Sequence, residues 1–194
     1  MQHLLTPHSK EITPFAWWEG AFTNEQLDWL QNKTKEATEK ASIGNNEKGG
    51  VDENIRRSEL SWLSKNEENA WVFEKLAHVC SSLNADYFGF ELTGFGEPIQ
   101  LTSYSEARQG TYKWHQDFGR TGPSRKLSLV LQLSDPGHYE GGELQLLTRT
   151  EPTTIEKNRG LITVFPAWTL HQVTPVVKGT RQTLVAWISG PEFK

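Results

Sequence analysis

The segment Lys126-Leu-Ser-Leu-Val-Leu-Gln-Leu133 decides the predicted fold, because it is a short run in which leucine recurs at every second position. Other short apolar or alternating runs surround it, and Gly, Pro, Asp or Asn separates each from the next. They cover residues 87–92, 99–105, 111–117, 142–147, 160–165, 169–176 and 180–188. Short strands at such regular spacing are typical of a sandwich or barrel rather than of alternating β-α units. The sequence therefore predicts a strand-rich region that covers residues 87–194.

The first half of the chain carries helical signals instead. Thr23-Asn-Glu-Gln26 is typical of a capping box and predicts a helix of about four to five turns that runs to Ala41. Ser64-Lys-Asn-Glu67 predicts a second capping box. The helix that it opens carries an apolar stripe at helical spacing, formed by Val72, Leu76, Val79, Cys80 and Leu83. We expect this helix to pack on the sheet.

The segment 44–54 contains three glycines and has no apolar periodicity, which predicts a mobile loop. It has too little apolar surface to pack by itself, and we expect it to act as a lid over the mouth of the predicted barrel. The alternative is a connector with no role in function. Residues 1–86 would then form a helical support with this loop, and residues 87–194 would form the β core. The 194 residues together are predicted to be a single domain.

Composition excludes several classes of protein. A formal net charge of -4 argues against a general nucleic-acid binder. One cysteine excludes an internal disulfide framework and a cysteine zinc cluster. A mean hydropathy of -0.60 and the lack of a long apolar run argue against a transmembrane helix, and Met1 to Lys10 show no secretory signal. These features predict a cytoplasmic protein with no membrane partner.

His115-Gln-Asp117 lies in the predicted strand 111–117. Residues i and i+2 of a strand point to one face, so the imidazole and the carboxylate converge. His138-Tyr-Glu140 has the same spacing, but it lies among turn residues. We interpret that second pair as part of a surface loop.

His171 lies in the predicted strand 169–176 and would add a second imidazole, although it is also compatible with a structural histidine of the core. Two histidines and one carboxylate occupy one face of a metal and leave three positions open, as in non-haem Fe(II) oxygenases. Arg181 follows ten residues later, and its guanidinium suits the distal carboxylate of a 2-oxoglutarate cosubstrate. A three-residue hairpin loop would pair Arg181 with Val177 and place Arg181, Thr183 and His171 on one face.

These motifs resemble the prolyl 4-hydroxylase-like branch of the Fe(II)/2-oxoglutarate-dependent oxygenases. The resemblance is carried by Tyr104-Ser-Glu, Tyr112-Lys-Trp-His-Gln-Asp117, Lys126-Leu-Ser-Leu-Val-Leu-Gln-Leu-Ser-Asp-Pro136, Tyr139-Glu-Gly-Gly-Glu-Leu144, Gly160-Leu-Ile-Thr-Val-Phe-Pro166, His171-Gln-Val-Thr-Pro175 and Gly179-Thr-Arg-Gln-Thr-Leu-Val-Ala-Trp187. It covers nearly half of the chain. It implies a mainly β fold with N-terminal helices, namely a double-stranded β-helix (jelly roll) with the helices packed on one face.

The resemblance also implies roles for individual residues. The iron ligands would be His115, Asp117 and His171. The cosubstrate would contact Arg181, as the anchor of its distal carboxylate, with Tyr104, Thr183 and Gln132, the last standing where some members of the family have a tyrosine. The substrate cleft would be lined by Tyr112, Trp114, Arg120 and Trp187.

The implied activity is hydroxylation of an unactivated C–H bond, most directly of a prolyl residue in a peptide or protein. The implied cofactors are Fe(II), 2-oxoglutarate and O2, with ascorbate as an additional candidate. Three alternatives stay open: the same chemistry on a free amino acid or small molecule, a nucleic-acid demethylase, and a non-catalytic jelly-roll binding module. The acidic balance disfavours the demethylase, and the offset between His171 and Arg181 disfavours the binding module.

Overall fold

A computed structural model describes residues 12–35, 39–40, 52–118 and 124–192. The helices in these ranges are α1 (Asn24–Lys35) and α2 (Ala70–Leu83). The strands are β1 (Ala16–Trp18), β2 (Glu39–Lys40), β3 (Arg56–Arg57), β4 (Glu59–Leu63), β5 (Gly94–Phe95), β6 (Ile99–Ser105), β7 (Thr111–His115), β8 (Arg125–Gln132), β9 (Tyr139–Gly141), β10 (Leu144–Leu146), β11 (Thr153–Thr154), β12 (Ile162–Pro166), β13 (His171–Val173) and β14 (Val176–Ser189). No helix within the described ranges is long and apolar enough to cross a membrane.

The strands form two antiparallel sheets. The large sheet has the order β1-β12-β8-β14-β6-β4-β2, and β5 and β9 also pair with β14. The small sheet has the order β11-β10-β13-β7-β3. Side chains from both sheets pack against each other between them. The architecture is the jelly roll that the sequence predicts.

Strand alternation gives the large sheet two different sides. On β8, Leu129 and Leu131 are fully buried in a cluster that includes residues of both helices. Val130, between them, packs instead with Leu144 and Leu146 of the small sheet. Each buried leucine side chain contributes roughly 1.5–3 kcal/mol of transfer free energy. One side of the sheet is therefore covered by the helices, and the other lines a cavity between the sheets.

The start of α1 is the capping box that the sequence predicts. The Thr23 hydroxyl accepts a hydrogen bond from the Gln26 backbone N–H at 3.3 Å, and Gln26 Oε1 accepts one from the Thr23 backbone N–H at 3.1 Å. The helix ends at Lys35, however, and Glu39–Lys40 form β2. The predicted extension of this helix to Ala41 is therefore wrong.

The start of α2 differs from the prediction. The helix begins at Ala70, and the side chain of its N-cap residue Asn69 makes no hydrogen bond to the first turn. In the turn before the helix, Asn66 and Asn69 exchange side-chain to backbone hydrogen bonds of 2.8 and 3.1 Å. The predicted capping box over residues 64–67 is therefore wrong. The apolar stripe of the helix is buried as predicted, at Val72, Leu76, Val79, Cys80 and Leu83.

Two boundaries between helix and strand also differ. Asn84–Phe88 form a π-helical turn that continues α2, and residues 89–92 form no strand, so the predicted strand over 87–92 is wrong. Conversely, the region predicted as helical support contributes β1, β3 and β4. These strands pair with β12, β7 and β6, respectively. The N-terminal region therefore completes both sheets as well as covering one of them.

Candidate metal centre and the pockets around it

The three side chains that the sequence proposes as metal ligands come together. His115 ends β7, His171 begins β13, and the two residues pair across the small sheet. Asp117 lies just beyond the end of β7, where its backbone N–H donates to the carbonyl oxygen of Ala167 at 3.0 Å. One ligand atom from each side chain lies within 4.8 Å of the others. A single metal ion can therefore contact all three.

Backbone hydrogen bonds fix which nitrogen of each histidine faces the centre. Nδ1 of His115 lies 2.7 Å from the carbonyl oxygen of Lys113, and Nδ1 of His171 lies 2.9 Å from that of Thr169. Because a carbonyl oxygen only accepts, each Nδ1 carries the proton and each Nε2 keeps its lone pair. The two Nε2 atoms lie 3.7 and 3.5 Å from the carboxylate oxygens of Asp117. This is the orientation that metal-binding histidines require.

Burial and neighbouring charges set the protonation of the three groups. Burial lowers the pKa of His115 well below its usual range, and the neighbouring His171 lowers it further. Burial alone would raise the pKa of Asp117, but the two histidines hold it below its usual range. The Ser128 hydroxyl helps, because it donates a hydrogen bond of 2.7 Å to Asp117 Oδ2. A neutral imidazole beside a carboxylate is the protonation state that binds a divalent cation.

A β-bulge brings Tyr112 to the metal ligands. His115 pairs with His171 and Tyr112 pairs with Val173, so β7 has one more residue than β13 between the two pairs. As a result the rings of Tyr112 and His115 stack with their centroids 3.4 Å apart and an interplanar angle of 16°. Strict alternation would have placed these two residues on opposite faces. Trp114, between them, is 36% exposed.

Arg181 lines a narrow cavity between the two sheets. It is 3% exposed, and its guanidinium lies 5.6 Å from the centre of the Tyr104 ring. The same cavity is lined by Gln132, Tyr139 and Thr163. Burial raises the pKa of Tyr139, whereas the charge and the hydrogen bond of Arg181 oppose that rise. Gln132 Nε2 also donates to the Tyr139 hydroxyl at 3.1 Å.

The chain path from His171 to Arg181 is not the predicted hairpin. β13 pairs with β7 and β10 in the small sheet, whereas Val176–Ser189 form one long strand that enters the large sheet. Arg181 therefore pairs with Tyr104 of β6 rather than with Val177. Arg181 is brought near the ligands by the packing of two sheets and not by a local turn.

Two glycines lie where the first part of β14 pairs closely with β9. Gly179 has a φ of 72°, but a Cβ there would lie 2.2 Å from the carbonyl oxygen of His138. Gly141 has a φ of 75°, and its Cβ would lie 2.1 Å from the carbonyl oxygen of Pro175. Both glycines permit β9 to approach the first part of β14 closely. They serve the close antiparallel pairing of β9 with β14 rather than a turn from β13 into β14.

An aromatic and cationic patch, formed by Trp62, Trp187 and Arg125, lies beside the centre. The Arg125 guanidinium lies 3.8 Å from the centre of the Trp187 ring, and the partly exposed Trp62 lies 6.3 Å from it. Glu97 holds Arg125 through two contacts of 2.6 and 2.7 Å. The Trp187 N–H lowers the pKa of Asp117, yet among the described residues it makes no hydrogen bond of normal geometry. The patch therefore reaches from solvent to the metal ligands.

The other predicted site residues differ in how far the structure locates them. Thr183 is buried and pairs with Gln132 of β8. Arg120 and residues 44–51 of the predicted lid lie outside the described residues. At the described end of that segment, Glu53 forms an ion pair of 2.8 Å with Arg108. The lid remains a prediction.

Two residues of the site are not singled out by the sequence pattern. Tyr139 is buried, but the neighbouring His138 and Glu140 are exposed as expected, so the segment has the composition of a surface loop. Ser128 interrupts the leucines of β8, and a polar residue inside an apolar strand is the signal that could have identified it.

Sequence comparison gives one family and several hydroxylases. A model of the 2OG-Fe(II) oxygenase superfamily matches residues 99–189. A PKHD-type hydroxylase of Prochlorococcus marinus is 42% identical over 87 residues, and one of Synechococcus sp. (strain CC9605) is 43% identical over 91. These alignments cover 44% and 45% of this chain, and 39% and 40% of the two relatives. The chain therefore spans about two fifths of the length of these curated relatives.

Solved structures share the fold over most of the chain. A Pseudomonas putida prolyl-4-hydroxylase has a TM-score of 0.72 at 19% identity, and the match covers 92% of this chain and 94% of that one. A Trichoplax adhaerens prolyl hydroxylase, in complex with a hypoxia inducible factor oxygen degradation domain peptide fragment, has a TM-score of 0.73 at 16% identity. That match covers 91% of this chain and 83% of the other. At these identities the likeness establishes the fold.

Proposed function

Because the chain belongs, through residues 99–189, to the 2OG-Fe(II) oxygenase superfamily, we propose that it is an Fe(II)- and 2-oxoglutarate-dependent dioxygenase that hydroxylates an unactivated C–H bond. One observation carries the proposal: three side chains that can hold one metal ion converge, and Arg181 is a buried arginine that forms no ion pair among the described residues. Arg181 lies against Tyr104, which packs in one cluster with Tyr112, the residue that stacks on His115. The family name itself specifies the metal and the cosubstrate. Ascorbate and a cytoplasmic location stay predictions.

The donor set fits Fe(II). Two neutral imidazole nitrogens and one carboxylate are the ligands that non-haem Fe(II) oxygenases use, and they leave positions open for other ligands. When bound, Fe(II), 2-oxoglutarate and O2 supply an oxidation that places one oxygen atom in the substrate as a hydroxyl, while 2-oxoglutarate becomes succinate and carbon dioxide. The side chains of the protein position the reactants and exclude water.

Each group around the centre has a distinct part in that task. His115, Asp117 and His171 hold the metal, and Ser128 keeps the carboxylate of Asp117 oriented. The Arg181 guanidinium binds the distal carboxylate of 2-oxoglutarate as a fork. Tyr104, Gln132 and Thr183 surround that cosubstrate. Tyr112, Trp114, Arg120 and Trp187 are proposed to bind the substrate.

We propose a prolyl residue of a peptide or protein as the substrate. The fold of the chain is shared with two prolyl hydroxylases, one of them in complex with a peptide fragment. Trp62 of the patch is 46% exposed and offers a flat apolar face, which suits a ring such as that of proline. We also propose that residues 1–194 act as one domain, a view that the strands β1, β3 and β4 support by joining both sheets.

The test is succinate formation from 2-oxoglutarate with and without added Fe(II). The wild-type protein should form succinate only with Fe(II). Arg181→Ala should weaken 2-oxoglutarate binding by roughly 2–5 kcal/mol while leaving metal affinity nearly unchanged, and Arg181→Lys should rescue it only in part. Arg149→Ala, which removes an exposed arginine, serves as the control. Unchanged 2-oxoglutarate affinity in Arg181→Ala contradicts the assignment, and no Fe(II)-dependent succinate at all favours the binding module.

A further inference from the structure

Two arginines among the described residues are more than nine-tenths buried, and neither forms an ion pair. They are Arg181, 3% exposed, and Arg56, 6% exposed. The more exposed arginines behave differently, because several contact carboxylates. These ion pairs join Arg108 to Glu53 and Glu59, Arg125 to Glu97, and Arg159 to Asp28. A buried charge without a counter-charge is unfavourable, so its presence calls for an explanation.

Arg56 is held rigidly, but only by neutral groups. Its Nε donates to the Ser58 hydroxyl at 2.8 Å, and its Nη2 donates to Gln100 Oε1 at 2.7 Å. Its guanidinium lies 4.7 Å from the centre of the Tyr112 ring. An arginine has five N–H donors, and these two contacts use two of them. The remaining donors lie at the Nη end, which is the part that binds carboxylates as a fork.

The surroundings do not neutralise this charge. The Tyr112 ring that lies against the guanidinium carries no charge. Ser58 and Gln100 are 3% and 4% exposed and carry no charge. The site is therefore a fixed cation in a setting of low polarity, where a contact with an anion is stronger than in water.

One residue, Tyr112, separates Arg56 from the proposed metal ligand His115. Arg56 lies on β3, pairs with Tyr112 of β7, and Tyr112 stacks on the metal ligand His115. Arg181 lies elsewhere, against Tyr104 and Tyr139. The two buried arginines thus occupy separate positions around the centre. The distal carboxylate of 2-oxoglutarate is already assigned to Arg181. A carboxylate that binds Arg56 would therefore come from another molecule.

We propose that Arg56 binds a carboxylate of the substrate that is hydroxylated, and this inference rests on the proposed function. Within the proposed function, the substrate class is then a peptide that is hydroxylated at its C-terminal prolyl residue, because its carboxylate lies close to the reacting carbon. A free amino acid, the alternative substrate, carries the same group. A prolyl residue inside a long chain lacks such a group. Arg56 is thus a residue that determines substrate specificity.

The experiment measures binding rather than turnover, on the full chain loaded with Mn(II) in place of Fe(II) and with 2-oxoglutarate. Calorimetric titration uses L-proline, L-alanine and proline-ended tetrapeptides, each as its carboxylate and as its carboxamide. In the wild-type protein at least one carboxylate should bind roughly 10- to 100-fold more tightly than its carboxamide. A panel in which no acid binds, or in which acids bind no better than amides, overturns the proposal.

Two variants locate the effect. Arg56→Gln should abolish the preference for the acid. Ser58→Asp should abolish it too, because it places an internal carboxylate beside the guanidinium and keeps Arg56 folded in its place. Ser58→Ala and Arg57→Gln are the controls, since they remove the hydroxyl contact and a neighbouring, less buried arginine, and both should keep the preference. A preference that survives in Ser58→Asp overturns the proposal and makes Arg56 a structural residue.

The source of the carboxylate is tested in the same titrations. The affinity of 2-oxoglutarate itself should be the same in Ser58→Asp as in Ser58→Ala. If it falls while the acid preference of the panel stays, Arg56 serves the cosubstrate and the proposal is wrong. Because no step here requires turnover, a protein that binds acids through Arg56 but forms no succinate contradicts the proposed function and leaves Arg56 as a carboxylate-binding residue only.

Discussion

The two sides of the large sheet bury side chains of opposite character. On the side covered by the helices, Leu129 and Leu184 are fully buried among apolar neighbours. On the side that faces the cavity, Ser128 and Arg181 are almost as completely buried, at 0% and 3% exposure. Burying a polar or charged group costs free energy unless it finds a partner. The helix side accounts for the stability of the sheet, and the cavity side accounts for its chemistry.

This difference means that stability and function should separate along a single strand. A change on the helix side should lower the free energy of unfolding while the surviving folded molecules bind their ligands normally. A change on the cavity side should do the reverse, because polar groups held for a ligand contribute little to stability. Variants at neighbouring positions of one strand test this division directly.

The largest effect is expected from the cavity side, at His171. Replacing it with alanine removes one of three metal ligands, so Fe(II)-dependent succinate formation should be abolished. The fold should persist, because His171 lies in the small sheet and is not part of the apolar cluster that joins the helices to the large sheet. His138→Ala is the control, because His138 is exposed and is not one of the three residues that could hold a metal ion. Wild-type succinate formation in His171→Ala would show that the ligand assignment is wrong.

The next effect is expected on the helix side, at Leu129. Truncation of a fully buried leucine to alanine typically costs about 2–5 kcal/mol, because apolar contacts are lost and a cavity remains. Urea unfolding should report that loss, while the dissociation constants for metal and 2-oxoglutarate stay close to those of the wild type.

Its neighbour Ser128 provides the opposite case on the same strand. Ser128→Ala removes the hydrogen bond to Asp117 and should lower metal affinity roughly 10- to 100-fold with little change in unfolding. If Leu129→Ala weakened metal binding as much as Ser128→Ala does, the two sides of the sheet would not be separable.

The helix side is also the part that the sequence predicts best. The stripe of α2 repeats at helical spacing, and the leucines of β8 alternate with other residues, so both patterns reflect burial against one partner. Hydrophobic periodicity does not identify very short strands. β3 has two residues, and its partner β7 lies more than fifty residues away in the chain, so neither local pattern nor composition identifies it.

The cavity side could be predicted in residue type but not in geometry. The three metal ligands are identifiable because few other roles combine two histidines and a carboxylate in this way. Their neighbours depend on irregular backbone. Tyr112 reaches His115 only through a β-bulge, and Gly179 permits the close pairing of β14 with β9 although its sequence context is equally typical of a hairpin turn. Strand alternation alone predicts neither arrangement.

The smallest effect is expected at Tyr139, a single residue that combines both roles. Its ring packs like a residue of the core, while its hydroxyl lines the cavity. The hydroxyl oxygen accepts a hydrogen bond from Gln132 Nε2 at 3.1 Å and contacts Arg181. Its own proton is thus free to point toward a carboxylate held by Arg181. Since burial raises the pKa of Tyr139, the phenol keeps that proton at neutral pH.

Tyr139→Phe should therefore weaken 2-oxoglutarate binding by about 1 kcal/mol, roughly fivefold, with the metal affinity unchanged. The phenyl ring preserves the contact with the Lys157 ammonium, which lies 4.8 Å from its centre, so stability should change little. Tyr87→Phe, at a tyrosine that is 42% exposed, is the matched control. If the variant unfolds more easily but binds 2-oxoglutarate like the wild type, the Tyr139 hydroxyl contributes to stability and not to cosubstrate binding. The phenol would then only support Gln132 and Arg181, and the cosubstrate would depend on the arginine alone.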